Sequence, residues 1–525
     1  MTATEMEEAR RRVVRSASAI TPLTLLSRLS GYARDKAFAH VLGASTRMDA
    51  FLVAFRIPNM LRDIVGEGAM SSAFIPVYAK VSAERSEEQA RAFVGRAFGT
   101  FALLLAVVTV AGILASPLLV GLLAPDFATR PWQFDLAVAL NRWIFPYILL
   151  VSLSALCQAV LNSHHRFAVS AAAPIFLNLA MIAATLLLAP RLSEPTYGLA
   201  AGVLVGGLLQ IAVQWPQLAR LSAVGRPALG WRDPAVRSVL TLMTPRLFAY
   251  GINTINLTFA TRFAANLGTA NVSRLYFANR LKELVLGGFA VALATAILPL
   301  LSRQALAEDR SEFKATLAFA LRLIAFVTVP ASVGLILLRA AIVRVLFQGG
   351  RYSVEDTQGT AAVLAALSVG LFFFALVRVV VPAFYALRDT RLPVVAAFAD
   401  MAVFLTLCTL WTGRFGLPGI GLASSSAAAV NVAILLGVLR KREGRLHGRE
   451  IAASVGRILA AAFAMGVLVW GADRTIDLAR LPLAAAAGAL VALIAGAALL
   501  YWFVAHALGS PEPAELSRLL KRRRG

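Results

Sequence analysis

Basic side chains occur inside segments of this sequence that are otherwise apolar enough to enter a membrane. An arginine at the centre of a membrane helix costs about 2.5–3.5 kcal/mol unless it faces water or a partner. Arginine also binds oxyanions in a bidentate fashion and keeps its charge when desolvated. The pattern therefore predicts a water-filled cationic cavity that holds an anion such as a phosphate. The basic residues concerned are Arg28, Arg34, Lys36, Arg56, Arg62, Arg246, Arg262, Arg280 and Lys282.

Pairing with nearby acids is the alternative explanation for these buried charges. Asp35 stands seven residues after Arg28, and Asp63 stands seven after Arg56, so each pair shares one helical face. Glu67 follows Asp63 by four residues. Basic groups nevertheless outnumber acids in these segments, which favours the cavity. Two of the basic side chains, those of Arg246 and Lys282, lie near segment ends and could reach the membrane surface instead.

Few other residues suggest chemistry. Asp400 lies alone in an apolar segment, where it could bind a coupling cation or pair with Arg378, and the sequence favours neither alternative. His164 and His165 beside Arg166 predict a surface turn rather than a metal site. The sequence contains no nucleotide-binding G-x-x-x-x-G-K-[ST] loop, no H-E-x-x-H and no nucleophile elbow. We therefore expect no ATPase activity, no catalytic centre, no metal and no cofactor.

Composition predicts the elements that hold these residues. The chain has 525 residues, of which 59% are hydrophobic and 15% charged, and its mean hydropathy is +0.73. These values exclude an ordinary soluble enzyme and a disordered chain. Three spans contain charges, at about 18–40, 50–79 and 238–266. Eleven clear spans lie at about 98–123, 142–161, 168–189, 197–218, 284–301, 317–338, 359–385, 392–411, 417–438, 452–471 and 482–506. The fold class is an all-α polytopic membrane protein with about 14 transmembrane helices.

The loops between these spans differ in charge. The segments on one side contain 30 basic residues, including both termini, whereas the opposite loops contain 7. This bias predicts that the N-terminus and the C-terminus are both cytoplasmic. It also accounts for most of the net charge of +23 without nucleic acid as a partner. The tail LSRLLKRRRG predicts a basic helix on anionic lipid headgroups. Arg28 interrupts the first apolar run, so we expect a retained helix rather than a signal peptide.

Landmarks recur along the chain at a nearly constant offset. Pro22 matches Pro245, and Pro76 matches Pro299, both at an offset of 223. LNSHHRF also matches ALRDTRLP. Chance recurrence is the alternative, but a shared offset predicts two parallel six-helix repeats, as in many secondary transporters. The expected divisions are an N-terminal lobe at 1–225, a C-terminal lobe at 226–445, helices 13 and 14 at 446–508, and a basic tail at 509–525.

The stretch from Ser27 to Lys80 resembles the N-terminal signature of the MurJ (MviN) lipid II flippases. RLYFANRLKEL, VLFQGGRYSVEDT and FYALRDTRLPV resemble the same family, which belongs to the multidrug/oligosaccharidyl-lipid/polysaccharide exporter superfamily. The resemblance implies fourteen helices and a central cationic cavity for the precursor headgroup. It also implies that the last helix pair forms a groove for the lipid tail. The family's cavity arginines match Arg28, Arg34, Arg62 and Arg280.

The resemblance also suggests supporting residues and one departure. The family's acidic positions match Asp49 and Glu67, and we expect Asp35 and Arg56 to support the cavity or its gate as well. Asn279 stands where the family commonly has an acid. The seventh span also lacks the carboxylate that serves some members as a sodium ligand, which puts a sodium site, and a role for Asp400 in it, in doubt.

The expected function is therefore movement of lipid II from the inner to the outer leaflet of a bacterial cytoplasmic membrane by alternating access. The membrane potential or a monovalent cation would supply the energy. Expected partners are lipid II and anionic lipids, with the peptidoglycan-synthesis machinery as a further candidate, and we expect a monomer. An exporter of another polyprenyl-pyrophosphate-linked saccharide is the nearest alternative. A cation-coupled drug exporter would need carboxylates in its cavity, whereas basic residues predominate here. A membrane polymerase would need a long outward loop, and the outward loops of this sequence are short. A non-transporting scaffold stays open, because Asn279 replaces an acid.

Overall fold

The computed structural model describes the backbone of residues 3–64, 70–221, 223–476, 478 and 480–522, and side chains within 22–62, 70–244 and 256–517 except at 71, 222, 477 and 479. Helices account for nearly all of this part of the chain, as the sequence predicted. The first ten are α1 (Ala3–Leu42), α2 (Thr46–Ile64), α3 (Met70–Glu84), α4 (Glu87–Leu114), α5 (Ser116–Leu123), α6 (Pro131–Ile144), α7 (Tyr147–Ser163), α8 (Phe167–Ala183), α9 (Thr196–Arg220) and α10 (Pro234–Asn266). The others are α11 (Asn271–Gln304), α12 (Ser311–Leu337), α13 (Arg339–Phe347), α14 (Val354–Val369), α15 (Leu371–Ala386), α16 (Arg391–Phe415), α17 (Leu417–Glu443), α18 (Gly448–Ile476), α19 (Leu483–Ala507) and α20 (Glu512–Arg522).

The eleven clear spans expected from the sequence correspond to helices in the structure. Among the described residues, ten helical segments are long and apolar enough to cross a membrane, and α14 with α15 forms an eleventh that is bent by 46°. The described residues of the three charge-containing spans are helical too, in α1, in α2 and α3, and in α10. The all-α polytopic fold is thus confirmed, and the total of fourteen spans stays a prediction.

The chain divides into two compact units. Unit 1 contains 1–272 and the loop Gly349–Tyr352, and unit 2 contains 273–348 and 353–525. In unit 1, α8 packs against α1 and α9, and α2 packs against α6. Buried polar side chains tie these helices together: Asn141 donates to the backbone oxygen of Ala54 (2.7 Å) and accepts from Ser116 (2.8 Å). Such bonds stabilise apolar helices whose surfaces would otherwise pack equally well in several registers.

The loops of unit 1 gather at two ends. At the Arg47 end, Arg47 Nε lies 3.1 Å from Glu194, and this contact joins the start of α2 to the loop before α9. At the His164 end, the Tyr78 hydroxyl lies 2.8 Å from His164 Nε2, and Arg96 pairs with Asp233 at 2.6 Å. This grouping follows the predicted alternation of spans. Which end faces the cytoplasm stays a prediction.

In unit 2, α17 packs against α14, α15 and α16, while α18 packs against α12 and α19. The Tyr501 hydroxyl on α19 donates to the backbone oxygen of Phe326 on α12 (2.8 Å). The last helix is attached through the buried carboxylate of Glu512, which accepts from Ser454 and Ser510 (2.6 and 2.5 Å) and lies 3.7 Å from Arg322. The final helix pair is therefore fixed to α12 by one apolar core and one polar cluster.

Local backbone geometry supports the internal duplication. His165 and Arg388, which differ by the offset of 223, both have positive φ, at 59° and 60°. In both turns the next residue's amide donates 2.9 Å to a carbonyl five residues earlier, from Arg166 to Leu161 and from Asp389 to Phe384. A non-glycine residue with positive φ is uncommon, and the two parallel six-helix repeats stay a prediction.

Candidate functional site

The arginines of the first helix form the best-defined part of the candidate site. Arg34 Nε and Nη2 donate to Asp35 Oδ1 (3.1 and 2.8 Å), and Nη1 donates to Asn178 Oδ1 on α8 (3.1 Å). Asn178 Nδ2 donates in turn to Ser30 Oγ and to the backbone oxygen of Ser27, at 3.0 and 3.2 Å. Asp35 is buried, and the Arg34 side chain is 12% exposed. The network therefore fixes the Arg34 guanidinium against α8.

Arg28 and Lys36 on the same helix differ from Arg34. Both side chains are exposed, and neither forms a hydrogen bond or an ion pair with the described residues. The alternative in which Arg28 pairs with Asp35 is therefore not what the structure has. Two helical turns separate these residues by about 10.5 Å along the axis, whereas Arg34 is adjacent to the carboxylate. Two positive charges on α1 thus remain available to an anion.

The second helix contributes buried and half-buried charged groups. Asp49 is fully buried near its start, and Arg56 and Arg62 are half-buried along it. The expected partner of Arg56, the side chain of Asp63, lies outside the described residues, and so does Glu67. Unit 1 thus contributes basic residues on α1 and α2, among which Arg34 pairs with Asp35 at 2.8 Å.

Helices α10 and α11 bear the remaining predicted residues. On α10, Arg262 Nη1 donates to the backbone oxygen of Leu122 (2.8 Å), so it closes a helix end, and the Arg246 side chain lies outside the described residues. On α11, in unit 2, Arg280 is exposed. Asn279 Nδ2 donates to the Leu275 carbonyl of its own helix at 3.0 Å, where an acid could only accept.

Several charged groups of unit 2 form ion pairs or aromatic contacts within that unit. Arg378 Nη2 donates to Glu283 Oε2 at 2.8 Å, and Lys282 Nζ lies 4.5 Å from the centre of the Phe374 ring. Asp400 is half-buried on α16. The residue considered as its partner, Arg378, is therefore already in an ion pair with another carboxylate. Among the described residues, no group of three or more His, Cys, Asp or Glu side chains could hold a metal ion.

Sequence reasoning missed Asn178. An asparagine in an apolar helix is costly unless it forms hydrogen bonds, so its position within the span at about 168–189 was a usable signal. The turn at His164 and His165 is where the sequence predicted it, between α7 and α8. The best-described part of the candidate site is thus the Arg34 guanidinium, which Asp35 and Asn178 hold in place, and a guanidinium held in this way can bind an anion.

Comparisons with known proteins identify the family of the chain. The family described as lipid II flippase MurJ matches residues 38–479. A probable lipid II flippase MurJ of Vibrio cholerae is 36% identical over 88% of this chain and 90% of its own length. The lipid II flippase MurJ of Burkholderia cenocepacia is 35% identical, over 81% and 83%.

Solved structures share the fold. One described as lipid II flippase MurJ in an inward closed conformation gives a TM-score of 0.76 at 24% identity, covering 95% of this chain and 99% of that one. An inward-facing multidrug resistance transporter of the MATE family gives 0.66 at 13% identity, covering 82% and 98%. The family resemblance expected from the sequence is confirmed: this chain belongs to the lipid II flippase MurJ family.

Proposed function

We propose that this chain is a flippase that moves lipid II from the inner to the outer leaflet of the bacterial cytoplasmic membrane. The observation that supports it most is the family match across 38–479, joined to relatives above 30% identity that bear that name. The arginines on helices that otherwise suit a membrane agree with an anionic lipid head as the substrate. As a member of this family the chain is a multi-span transporter, and in this proposal it carries no ATP motor of its own.

The pyrophosphate of the substrate would bind Arg28, Arg34, Arg62 and Arg280. Asp35 neutralises Arg34 and orients it, so Arg34 offers a fixed hydrogen-bond fork rather than a full net charge. Arg28, which has no acidic partner among the described residues, would supply that net charge. The supporting residues would shape the cavity or its gate, namely Asp35, Asp49, Arg56, Glu67 and Asn279.

Alternating access would move the headgroup while the polyprenyl tail stays in lipid along α18 and α19. These helices present large apolar side chains outward, such as Phe463 (75% exposed), Leu499 (72%) and Phe503 (68%). The cytoplasmic location of both termini, a monomeric state and contacts of the basic tail with anionic lipids belong to the same proposal. The energy would come from the membrane potential or from a monovalent cation, for which Asp400 is the candidate ligand.

The test is to deplete the native protein from cells and ask in which leaflet lipid II accumulates. We expect accumulation in the inner leaflet, which would also separate this function from export of another polyprenyl-linked saccharide. Rescue by Arg28→Lys should be nearly complete, and rescue by Arg28→Glu should fail although the protein inserts normally. Lys80→Gln is the matched control, because this exposed charge lies on α3 and pairs only with Glu84 at 4.0 Å.

Two results would contradict the proposal. Lipid II reaching the outer leaflet at the normal rate after depletion would remove the function itself. Full rescue by Arg28→Glu would be compatible with the function but would exclude Arg28 and the other three arginines as the site that binds the headgroup.

A further inference from the structure

A second group of basic side chains lies at the Arg47 end of unit 1, apart from the arginines of the candidate site. This α1-end cluster consists of Lys36 and His40, in the last two turns of α1, and Arg351, in the loop Gly349–Tyr352 of the same unit. All three side chains are exposed, and none forms a hydrogen bond or an ion pair with the described residues. Their bonding capacity is therefore available to a ligand.

The loop that contains Arg351 lies directly against the end of α1. The backbone amide of Arg351 donates to the backbone oxygen of His40 at 2.9 Å. Gly350 has a φ of 59° and approaches so closely that a Cβ atom on it would lie 2.6 Å from Nδ1 of the His40 ring. Lys36 precedes His40 by about one turn, or about 6 Å along the helix axis. The three side chains therefore start from backbone positions close enough for them to converge on one ligand.

The acids that neighbour the α1-end cluster in the sequence already have basic partners. Asp35 pairs with Arg34 at 2.8 Å. Glu355 and Asp356, which follow the loop, both accept from Arg274, at 3.0 and 3.1 Å. The cluster therefore keeps a positive charge that these carboxylates do not neutralise, and the ligand that it favours is an anion.

The side-chain types of the cluster suit a phosphate group. A lysine ammonium binds phosphate as a point charge, a guanidinium binds two of its oxygens, and an imidazole ring offers an N–H donor. We propose that the α1-end cluster is a second anion site, which holds the pyrophosphate of the substrate after it leaves Arg28. Lys36 follows Arg28 by about 12 Å along α1, in the direction of the Arg47 end. One helix then carries both sites, and alternating access would expose them in turn.

This inference rests on the proposed function for the source of the pyrophosphate. Binding of inorganic pyrophosphate requires no transport, so the two proposals can fail separately. A phospholipid headgroup offers the same phosphate chemistry and is the competing source. Stabilisation of the helix end is the alternative role, because basic side chains interact favourably with a helix C-terminus without any ligand.

The first experiment is calorimetric titration of the purified full-length protein with inorganic pyrophosphate in a neutral detergent. The Arg28→Glu background is used because the reversed charge disables the first site. Adding Lys36→Gln and Arg351→Gln to this background should weaken the remaining binding at least about tenfold, since two charged ligands are lost. The control adds Arg414→Gln and Lys441→Gln instead, which removes two exposed charges elsewhere and should leave that binding unchanged.

The second experiment measures flipping of labelled lipid II in vesicles of neutral lipid. The double variant Lys36→Gln, Arg351→Gln should flip about tenfold more slowly at saturating substrate, because no countercharge receives the anion when it leaves the first site. The substrate concentration that gives half the maximal rate should not change, since the entry side keeps its arginines. The conservative pair Lys36→Arg, Arg351→Lys should retain most of the rate.

Pyrophosphate binding that survives the double substitution would overturn the proposal. Normal binding with a lower unfolding temperature would also overturn it, because the basic groups would then only stabilise the end of α1. Nanodiscs with and without phosphatidylglycerol test the competing source. If that lipid displaces pyrophosphate and the double variant flips normally, the site belongs to a phospholipid and the proposal fails. A protein that binds pyrophosphate through this cluster but does not move lipid II would count against the proposed function alone.

Discussion

At the scale of single residues, Asn178 decides how Arg34 is presented. Its amide accepts from Arg34 Nη1 and donates to Ser30, so replacing it frees the guanidinium to adopt other rotamers. Asn178→Leu should reduce flipping about tenfold while costing only about 0.6–1.7 kcal/mol of stability. Asn178→Asp has nearly the same shape but adds a second negative charge, so it should reduce flipping further. Reconstituted vesicles containing labelled lipid II would measure both, and normal flipping by Asn178→Asp would contradict a role for Arg34 in binding an anion.

His164 makes the stability of unit 1 depend on pH. Burial of the ring, with the nearby charges of His165 and Arg166, lowers the pKa of His164 below its ordinary value of 6.5. The unfolded chain then takes up the proton first, so this stabilisation is complete above pH 6.5 and decreases as the pH falls towards the folded pKa. We expect the unfolding temperature to fall between pH 7 and pH 5, and His164→Gln to flatten that fall. The His165→Gln variant, changed at the exposed neighbour, should keep most of the fall in unfolding temperature. If the unfolding temperature of His164→Gln depended on pH as it does in the native protein, His164 would not be the group responsible.

At the scale of elements, glycines allow the 225–230 segment to lie directly on α4. Gly225 N donates to Arg91 O (3.0 Å) and Ala228 N donates to Gly95 O (3.2 Å). A Cβ atom at Gly99 would lie 2.3 Å from the backbone oxygen of Ala228, so the two backbones could not keep their approach. Gly99→Val should destabilise the protein by about 1–3 kcal/mol. Gly437→Ala on α17, where a Cβ would meet no atom within 4 Å, is the control and should cost nothing. Thermal unfolding in detergent checks both, and equal unfolding temperatures would exclude this packing.

Apolar runs made the helices predictable, because length and hydropathy alone determine where a chain can cross a bilayer. The same runs gave no information on which polar groups would meet. Arg28 and Asp35 share a helical face in the sequence, but the carboxylate pairs with its immediate neighbour Arg34, and Asn178 completes the network from 144 residues away. A cleft lined by Arg47, Trp132 and Thr269 was equally invisible, because only tertiary packing brings together these three segments, which are distant in the sequence.

At the scale of the whole molecule, the orientation in the membrane can be read with added cysteines. Both natural cysteines, Cys157 and Cys408, are buried in helices, so they should contribute little background labelling. In intact cells a membrane-impermeant maleimide should label Ala128→Cys, at the Arg47 end of unit 1. It should label His165→Cys, at the opposite end, only after the membrane is opened. We expect this labelling pattern because basic residues are in excess in the predicted cytoplasmic segments. The reverse labelling pattern would invert the proposed direction of transport.

The final prediction concerns the charge that crosses the membrane with each molecule of substrate. A pyrophosphate with two negative charges leaving a negative interior gains up to about 5 kcal/mol per 100 mV. The arginines return to their starting positions over a complete cycle, so they change only the charge that moves in each half of it. Flipping in proteoliposomes should therefore accelerate when a potassium gradient with valinomycin makes the side of substrate entry negative. Nigericin, which exchanges potassium for protons without net charge transfer, is the control for a pH gradient. The Arg28→Gln variant should bind less substrate. Its flipping rate should depend on voltage at least as steeply as that of the native protein, because one fewer positive charge of the protein moves together with the substrate and offsets its negative charge. A rate that does not change between 0 and 100 mV would contradict this prediction and would indicate that a cation moves with each substrate.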